Sequence, residues 1–175
     1  ADYTKPHVIP TGDSKAERTV IYFPGSTIGN LTPTHASQFV ASMARSAGPG
    51  GALLIGVDLK KDHDVLFAAY NDAKGVTAAF NLNILVHANR ELGADFVLDN
   101  FEHHAPYVAE LGRIEMHLVS KVDQVFHIAG HAFSLGARET IRTEESHKYS
   151  VAEFAAVIGA AGHEVSQVWT DADGL

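Results

Sequence analysis

Thr19-Val20-Ile21-Tyr22-Phe23-Pro24-Gly25-Ser26-Thr27-Ile28-Gly29-Asn30 is the stretch on which the fold turns. Its first five residues are β-branched, aliphatic or aromatic, as a strand buried on both faces would be, and Pro24-Gly25 stops the run. Thr32-Pro33 then supplies an N-cap and a first-turn proline, and Phe39, Val40 and Met43 follow at helical spacing in a segment that reaches Ala47. Gly48-Pro49-Gly50-Gly51 closes that helix. A second apolar run, residues 52–57, reads as another buried strand; it ends at Asp58, and Asp62 is placed to cap the next helix. Strand, helix, strand, helix, with apolar strands and short glycine-rich joints, argues for a parallel sheet covered by helices.

Further along, residues 74–92 carry Val76, Phe80, Ile84 and His87 on one helical stripe, and Gly93 suits a helix C-terminus. The pattern then changes. Residues 113–119 alternate polar and apolar with period two, residues 122–128 and 140–146 also look extended, and Gly130 and Gly136 stand between them as turn residues. This reads as an antiparallel meander inserted into an α/β chain, suited to a lid or a pocket wall. Ser150 caps a helix over 151–161, and residues 163–169 return to strand. The expected domains are thus 1–73 with 150–175, and 74–149.

Composition narrows the function. The 175 residues are 46% hydrophobic and 19% charged, which suits a globular core, and the net charge of -8 repels nucleic-acid backbones and anionic lipid. No apolar run reaches the length of a membrane span, and Ala1-Asp2-Tyr3-Thr4-Lys5-Pro6 is not a signal peptide, so the expected compartment is the cytoplasm. The absence of cysteine removes disulfides, thiolate metal sites and thiol nucleophiles. The eleven histidines include no HExxH or comparable spacing, His103-His104 is a bare pair, and no metal is expected.

The segment 23–30 leaves the carboxyl end of a strand and enters a helix, which is the edge where open α/β sheets bind ligands. Gly25 and Gly29 permit close backbone approach there, and Asn30 would offer a neutral donor and acceptor; equally, the glycines serve turns and Asn30 is a local cap. No Gly-Lys-Ser/Thr follows, so it is not a phosphate loop. Tyr70 ends a helix, where its hydroxyl either meets a carboxylate or simply packs. Glu144 and Ser146, two apart on a strand, project from one face and could hold both nitrogens of an imidazole, or lie on a solvated edge. Asp58, Asp62 and Asp64 flank a strand end as site candidates, although capping accounts for Asp62.

Five strings in order resemble the histidine Nα-methyltransferases: Phe-Pro-Gly-Ser-Thr-Ile-Gly-Asn at 23–30, Gly-Val-Asp-Leu-Lys-Lys-Asp at 56–62, Ala-Tyr-Asn-Asp with Gly-Val-Thr-Ala-Ala-Phe-Asn within 69–81, Asn-Arg-Glu-Leu-Gly-Ala-Asp-Phe at 89–96, and Ile-Arg-Thr-Glu-Glu-Ser-His-Lys-Tyr at 141–149. The resemblance implies the C-terminal half of a class I, Rossmann-like S-adenosylmethionine methyltransferase with an inserted antiparallel β substrate domain. It implies N-methylation of the histidine α-amino group to trimethylhistidine, a step toward ergothioneine. By the same resemblance, Asp2 and Tyr3 line the adenine pocket and Gly25 lies against cofactor and substrate. Asn30 and Tyr70 hold the amino and carboxylate end of the substrate, and Glu144 and Ser146 grip its imidazole.

The glycine-rich loop and acidic ribose partner of a class I methyltransferase are missing from these 175 residues, and one more strand would be expected after Leu175. The expectation is therefore a piece of a longer enzyme that binds cofactor weakly alone and exposes a sheet edge open to homodimerisation. Two other readings stand beside it: a methyltransferase for another small amine, and a non-catalytic ligand-binding or assembly module.

Overall fold

The computed structural model describes residues 17–171. In chain order its regular elements are β1 (Val20–Phe23), α1 (Pro33–Ala47), β2 (Ala52–Ile55), α2 (His63–Tyr70), α3 (Val76–Leu92), β3 (Phe101–His104), β4 (Tyr107–Val108), β5 (Arg113–Ser120), β6 (Gln124–Ile128), β7 (His131–Leu135), β8 (Thr140–His147) and α4 (Val151–Ala160), with short 3-10 turns between some of them. They form two compact units, one taking the chain up to Lys60 and from His147 onward, the other Lys61–Ser146. The whole is a mixed α/β chain.

In the first unit β1 and β2 pair in parallel, Val20 opposite Ala52 through Phe23 opposite Ile55. The crossover between them is α1, whose Thr32 cap accepts from the His35 amide at 3.3 Å; Gly48 ends it at φ 75°. Ile21, Phe23, Leu53 and Ile55 pack with Phe39 and Met43 of α1 and with Phe154 and Val157 of α4. The Phe23 and Phe39 rings lie 4.7 Å apart. Burial on both faces, expected from the unbroken apolar run, is not what the strand shows: Val20 is 55% and Tyr22 67% exposed. Ile21 and Phe23 join the cluster that residues of both helices build, while Val20 and Tyr22, which alternate with them, are exposed. Residues 163–169 are not a strand either. A strand exists only where its amides and carbonyls find a ladder, and none pairs with this segment among the described residues.

The two ends of this unit are tied by backbone and charge. Tyr149 donates its amide to the Asp58 carbonyl at 3.2 Å, and Lys60 donates to that of Tyr149 at 2.9 Å. The Lys148 ammonium, 1% exposed, meets the Asp58 carboxylate at 2.7 Å. α4 begins in a capping box: Ser150 Oγ accepts from the Glu153 amide at 3.2 Å and the Glu153 carboxylate accepts from the Ser150 amide at 2.7 Å. Lys60 also pairs with Glu153. Together they hold the Glu153 carboxyl down to about 2, the Lys60 hydrogen bond contributing most, then the Ser150 amide.

In the second unit β5 is the organising strand. β3 pairs with it antiparallel over residues 117–120, β4 pairs antiparallel with its first two residues, and β8 pairs with it as well. β6 and β7 form a separate antiparallel hairpin. The order is therefore not that of a simple meander, because β8 returns to β5 across the hairpin. The alternation read in β5 is real: Ile114, Met116 and Leu118 are buried, and Arg113, Glu115 and His117 stand half-buried between them. Leu85 of α3 packs with Phe96, Phe101, Leu118 and Phe126. The stripe expected to bury α3 faces outward instead, with Val76 and Phe80 each 65% and Ile84 50% exposed. The helix turns Asn81 and Leu85 inward, since β3 and β5 lie against that side.

Candidate functional site

Of the expected site residues, Gly25 and Asn30 fall in the first unit and Tyr70, Glu144 and Ser146 in the second. In the first, β1 runs into Gly25 at φ 75° and Ser26 at φ 58°, two successive left-handed residues that reverse the chain into a 3-10 turn, Thr27–Asn30. Ser26 has a Cβ in a region that favours glycine, a local strain of the kind found where loops meet ligands. Gly25 is exposed, and a Cβ built on it would have only Thr27 Oγ1 near, at 3.9 Å. Asn30 is exposed at the end of the turn, while Ile28 and Gly29 are buried. The loop leans on the next strand end: Gly56 donates to the Phe23 carbonyl at 2.9 Å, and a Cβ on Gly56 would come within 3.1 Å of the Gly25 amide nitrogen. Gly56 thus lets the loop that carries Gly25 lie close against the end of β2, a requirement that only the folded chain reveals. Asp2 and Tyr3 lie outside the described residues.

The second unit brings Tyr70 and Ser146 together. The Tyr70 hydroxyl donates to Ser146 Oγ at 3.0 Å, across 76 positions of sequence. Ser146 is buried and Tyr70 half-buried. Glu144, also half-buried, stands two residues before Ser146 on β8, so both side chains leave the strand on the same face. Tyr70 closes α2, whose start is fixed by Asp62 accepting from the Asp64 amide at 2.8 Å. Capping thus accounts for Asp62, the Lys148 pair for Asp58, and Asp64 contacts His63 on the surface at 3.2 Å.

Several residues that fix Tyr70 in place are invisible to motif reading. Asn71 donates to the carbonyls of Phe67 and Ala105 at 3.0 and 2.8 Å and accepts from the Ala105 amide at 3.1 Å, clamping the end of α2 to the segment after β3. Asp72 accepts from the amides of Val76 and Thr77 at 3.0 and 2.8 Å, which starts α3 and holds its carboxyl at about 2, the Thr77 amide contributing most. The signal in the sequence is an aspartate just ahead of a helical stripe, placed to take the unpaired amides of the first turn.

Next to these, β5 and β8 carry a charged cluster. Glu115 accepts from Arg113, from Arg142 at 3.2 Å and from His117 Nε2 at 3.1 Å, and Arg113 reaches Glu145 at 2.9 Å. Burial pushes the Glu115 carboxyl up, but Arg113, His117 and Arg142 together outweigh it and hold the group below its usual range. Glu145 is thus an ion-pair partner in this cluster. The described residues hold no group of three or more histidine, aspartate or glutamate side chains that could bind a metal ion, and no helix long and apolar enough to cross a membrane.

Comparison with known proteins agrees with the motifs. The family described as histidine-specific, SAM-dependent methyltransferases matches residues 1–175. The histidine N-alpha-methyltransferase of Mycolicibacterium smegmatis is 43% identical over 90% of this chain and 50% of its own length. Ergothioneine biosynthesis protein 1 of Neurospora crassa is 32% identical over 83% of this chain and 17% of its own, and an L-tryptophan methyltransferase of Psilocybe serbica is 31% identical over 86% and 43%. The chain spans about half the length of the mycobacterial relative it matches. With five motifs in order and a match from the first residue to the last, the chain belongs to the histidine-specific, SAM-dependent methyltransferase family.

Proposed function

We propose that the whole protein transfers methyl groups from S-adenosylmethionine to the α-amino nitrogen of histidine, giving trimethylhistidine. In this reading a class I, Rossmann-like sheet domain includes β1 and β2, and the antiparallel strands belong to an inserted domain that holds the amino acid. The observation that carries it is the hydrogen bond between Tyr70 and Ser146 with Glu144 on the same strand face. A serine hydroxyl has one hydrogen to give, and an unprotonated imidazole nitrogen needs such a donor. The Glu144 carboxylate suits the other nitrogen, which carries a hydrogen. Tyr70 and Asn30 take the carboxylate and amino end.

On the cofactor side, the open space at Gly25 and its positive φ fit the close approach of a bulky ligand to backbone, and Asp2 and Tyr3 are the expected partners of its adenine. When bound, S-adenosylmethionine supplies an activated sulfonium methyl, so this chain's residues have mainly to orient a neutral amine. No nucleophilic side chain is required. Gripping both ends of histidine fixes its α-nitrogen, and repeated transfer needs those grips to persist as methyls accumulate.

A second reading, methylation of another amino acid, is favoured by the relative named as acting on tryptophan. An indole nitrogen donates but does not accept, so it would use Glu144 and leave the Ser146 donor unmatched. Titration of the whole protein separates the two. Histidine is expected to bind and tryptophan not to, and Glu144→Gln is expected to weaken histidine binding at least about tenfold, the scale of losing a hydrogen bond to a charged group. Tight tryptophan binding, or histidine binding indifferent to Glu144→Gln, would refute the assignment.

A further inference from the structure

A half-buried polar relay links the elements that carry Tyr70, Glu144 and Ser146. Asn81 of α3, 3% exposed, lies at its centre. Its Oδ1 accepts from Thr143 Oγ1 at 2.6 Å, and that hydroxyl also lies 3.1 Å from the Met116 carbonyl. Its Nδ2 reaches the His117 carbonyl at 3.1 Å and His103 Nδ1 at 3.0 Å. His103 Nε2 lies 2.8 Å from the Tyr70 carbonyl, one of the last carbonyls of α2, which have no partner within their own helix.

The directions of these bonds are determined by chemistry. A carbonyl only accepts, so the His117 carbonyl fixes the Asn81 amide with its nitrogen toward it, and a flipped amide would set two oxygens face to face. The same nitrogen donates to His103 Nδ1, which must therefore carry a lone pair, while Nε2 must carry the hydrogen given to Tyr70. Only the Nε2–H tautomer of neutral His103 satisfies both neighbours. Thr143 stands immediately before Glu144 on β8.

From this geometry we propose that Asn81 and His103 are positioning residues for the amino-acid substrate: the relay Tyr70–His103–Asn81–Thr143 sets the end of α2 against β8. The proposal rests on the reading of Tyr70, Glu144 and Ser146 as the substrate's grips. Neither Asn81 nor His103 need touch the substrate. Their removal leaves each side chain of the grip present but loosens the distance between them, and orientation is the main contribution such an enzyme makes.

Two measurements on the whole protein test it. Nitrogen-15 NMR of the histidine side chains is expected to report the Nε2–H tautomer for His103, and the Nδ1–H tautomer would overturn the relay whatever the protein's activity. In kinetics, Asn81→Leu and His103→Leu are expected to raise KM for histidine by at least about tenfold while affinity for S-adenosylhomocysteine changes less than about twofold, a loss of substrate positioning rather than of the fold. His103→Gln, which keeps a donor toward the Tyr70 carbonyl, is expected to recover part of that loss.

Asn89 is the control. It lies on the same helix and its side chain clamps the Phe96 backbone by two hydrogen bonds of 2.8 Å, and among the described residues no hydrogen bond of that side chain reaches Tyr70 or β8. Asn89→Leu is expected to lower Tm with KM unchanged. A KM unchanged in Asn81→Leu and His103→Leu, or raised equally in Asn89→Leu, would overturn the proposal. Failure of the unsubstituted protein to methylate histidine would overturn the proposed function, and the positioning role with it, while the NMR result would still report the relay itself.

Discussion

The Tyr70 hydroxyl donates to Ser146 Oγ in the structure; in the proposed complex that one hydrogen turns to the substrate carboxylate. Tyr70→Phe is therefore expected to raise KM for histidine more than it lowers kcat. A hydrogen bond to a charged group is worth about 1.5–3 kcal/mol, roughly a ten- to hundredfold change. Steady-state kinetics of the whole protein would show it, and an unchanged KM would place Tyr70 in a packing role. Asp58 presents a different case. Lys148 is buried against it, so Asp58→Ala takes a carboxylate away from a desolvated ammonium, and a loss of about 3–5 kcal/mol is expected. Denaturant unfolding measures this, and a loss below about 1 kcal/mol would mean that Lys148 escapes to water in the variant.

At the scale of the element, α4 shows how a sequence signature becomes a pH dependence. The Glu153 carboxyl is held at about 2 against a usual 4.5, first by Lys60 and then by the Ser150 amide. A depressed carboxylate stabilises the fold fully above its unfolded value, and that contribution is lost as pH falls from about 4.5 toward 2. Glu153→Gln is accordingly expected to be less stable than the parent at neutral pH and to lose less on acidification over that window. Melting temperatures across the window check it, and parallel curves for the two proteins would count against the coupling. Ser150 followed by Glu153 was legible because a capping box is local: both bonds close within three residues. The same holds for Thr32-Pro33 and for Asp62.

What escaped the sequence is set by partners distant along the chain. Apolar periodicity marks the positions that could be buried, but Val76, Phe80 and Ile84 are exposed because α3 presents Asn81 and Leu85 to β3 and β5. A lone asparagine in a helix reads as a weak helix former; its value comes from His103, His117 and Thr143, which lie 22 to 62 residues away. Residues 163–169 have the composition of a strand and no partner strand among the described residues. Period two in β5 and the proximity of Glu144 and Ser146 were readable because alternation is intrinsic to a strand.

For the whole molecule, the governing fact is that the chain spans about half of the mycobacterial relative. Its first unit offers a two-stranded parallel sheet with Val20, Tyr22 and Leu54 exposed, and parallel sheets are normally covered on both faces. The 175-residue chain alone is therefore expected to bind a hydrophobic dye and to self-associate, and the whole protein to do so far less. Light scattering after size-exclusion chromatography distinguishes them; a monomeric, dye-silent short chain would show that the exposed apolar residues need no cover.

The central claim concerns the choice of methyl acceptor, and mass spectrometry of one reaction tests it most directly. The whole protein is incubated with S-adenosylmethionine and a mixture of amino acids at equal concentration. Histidine is expected to be consumed first, appearing as a trimethylated product whose added methyls all lie on the α-nitrogen. Methylation of tryptophan or another amine in preference, or of the imidazole rather than the α-nitrogen, would contradict the account.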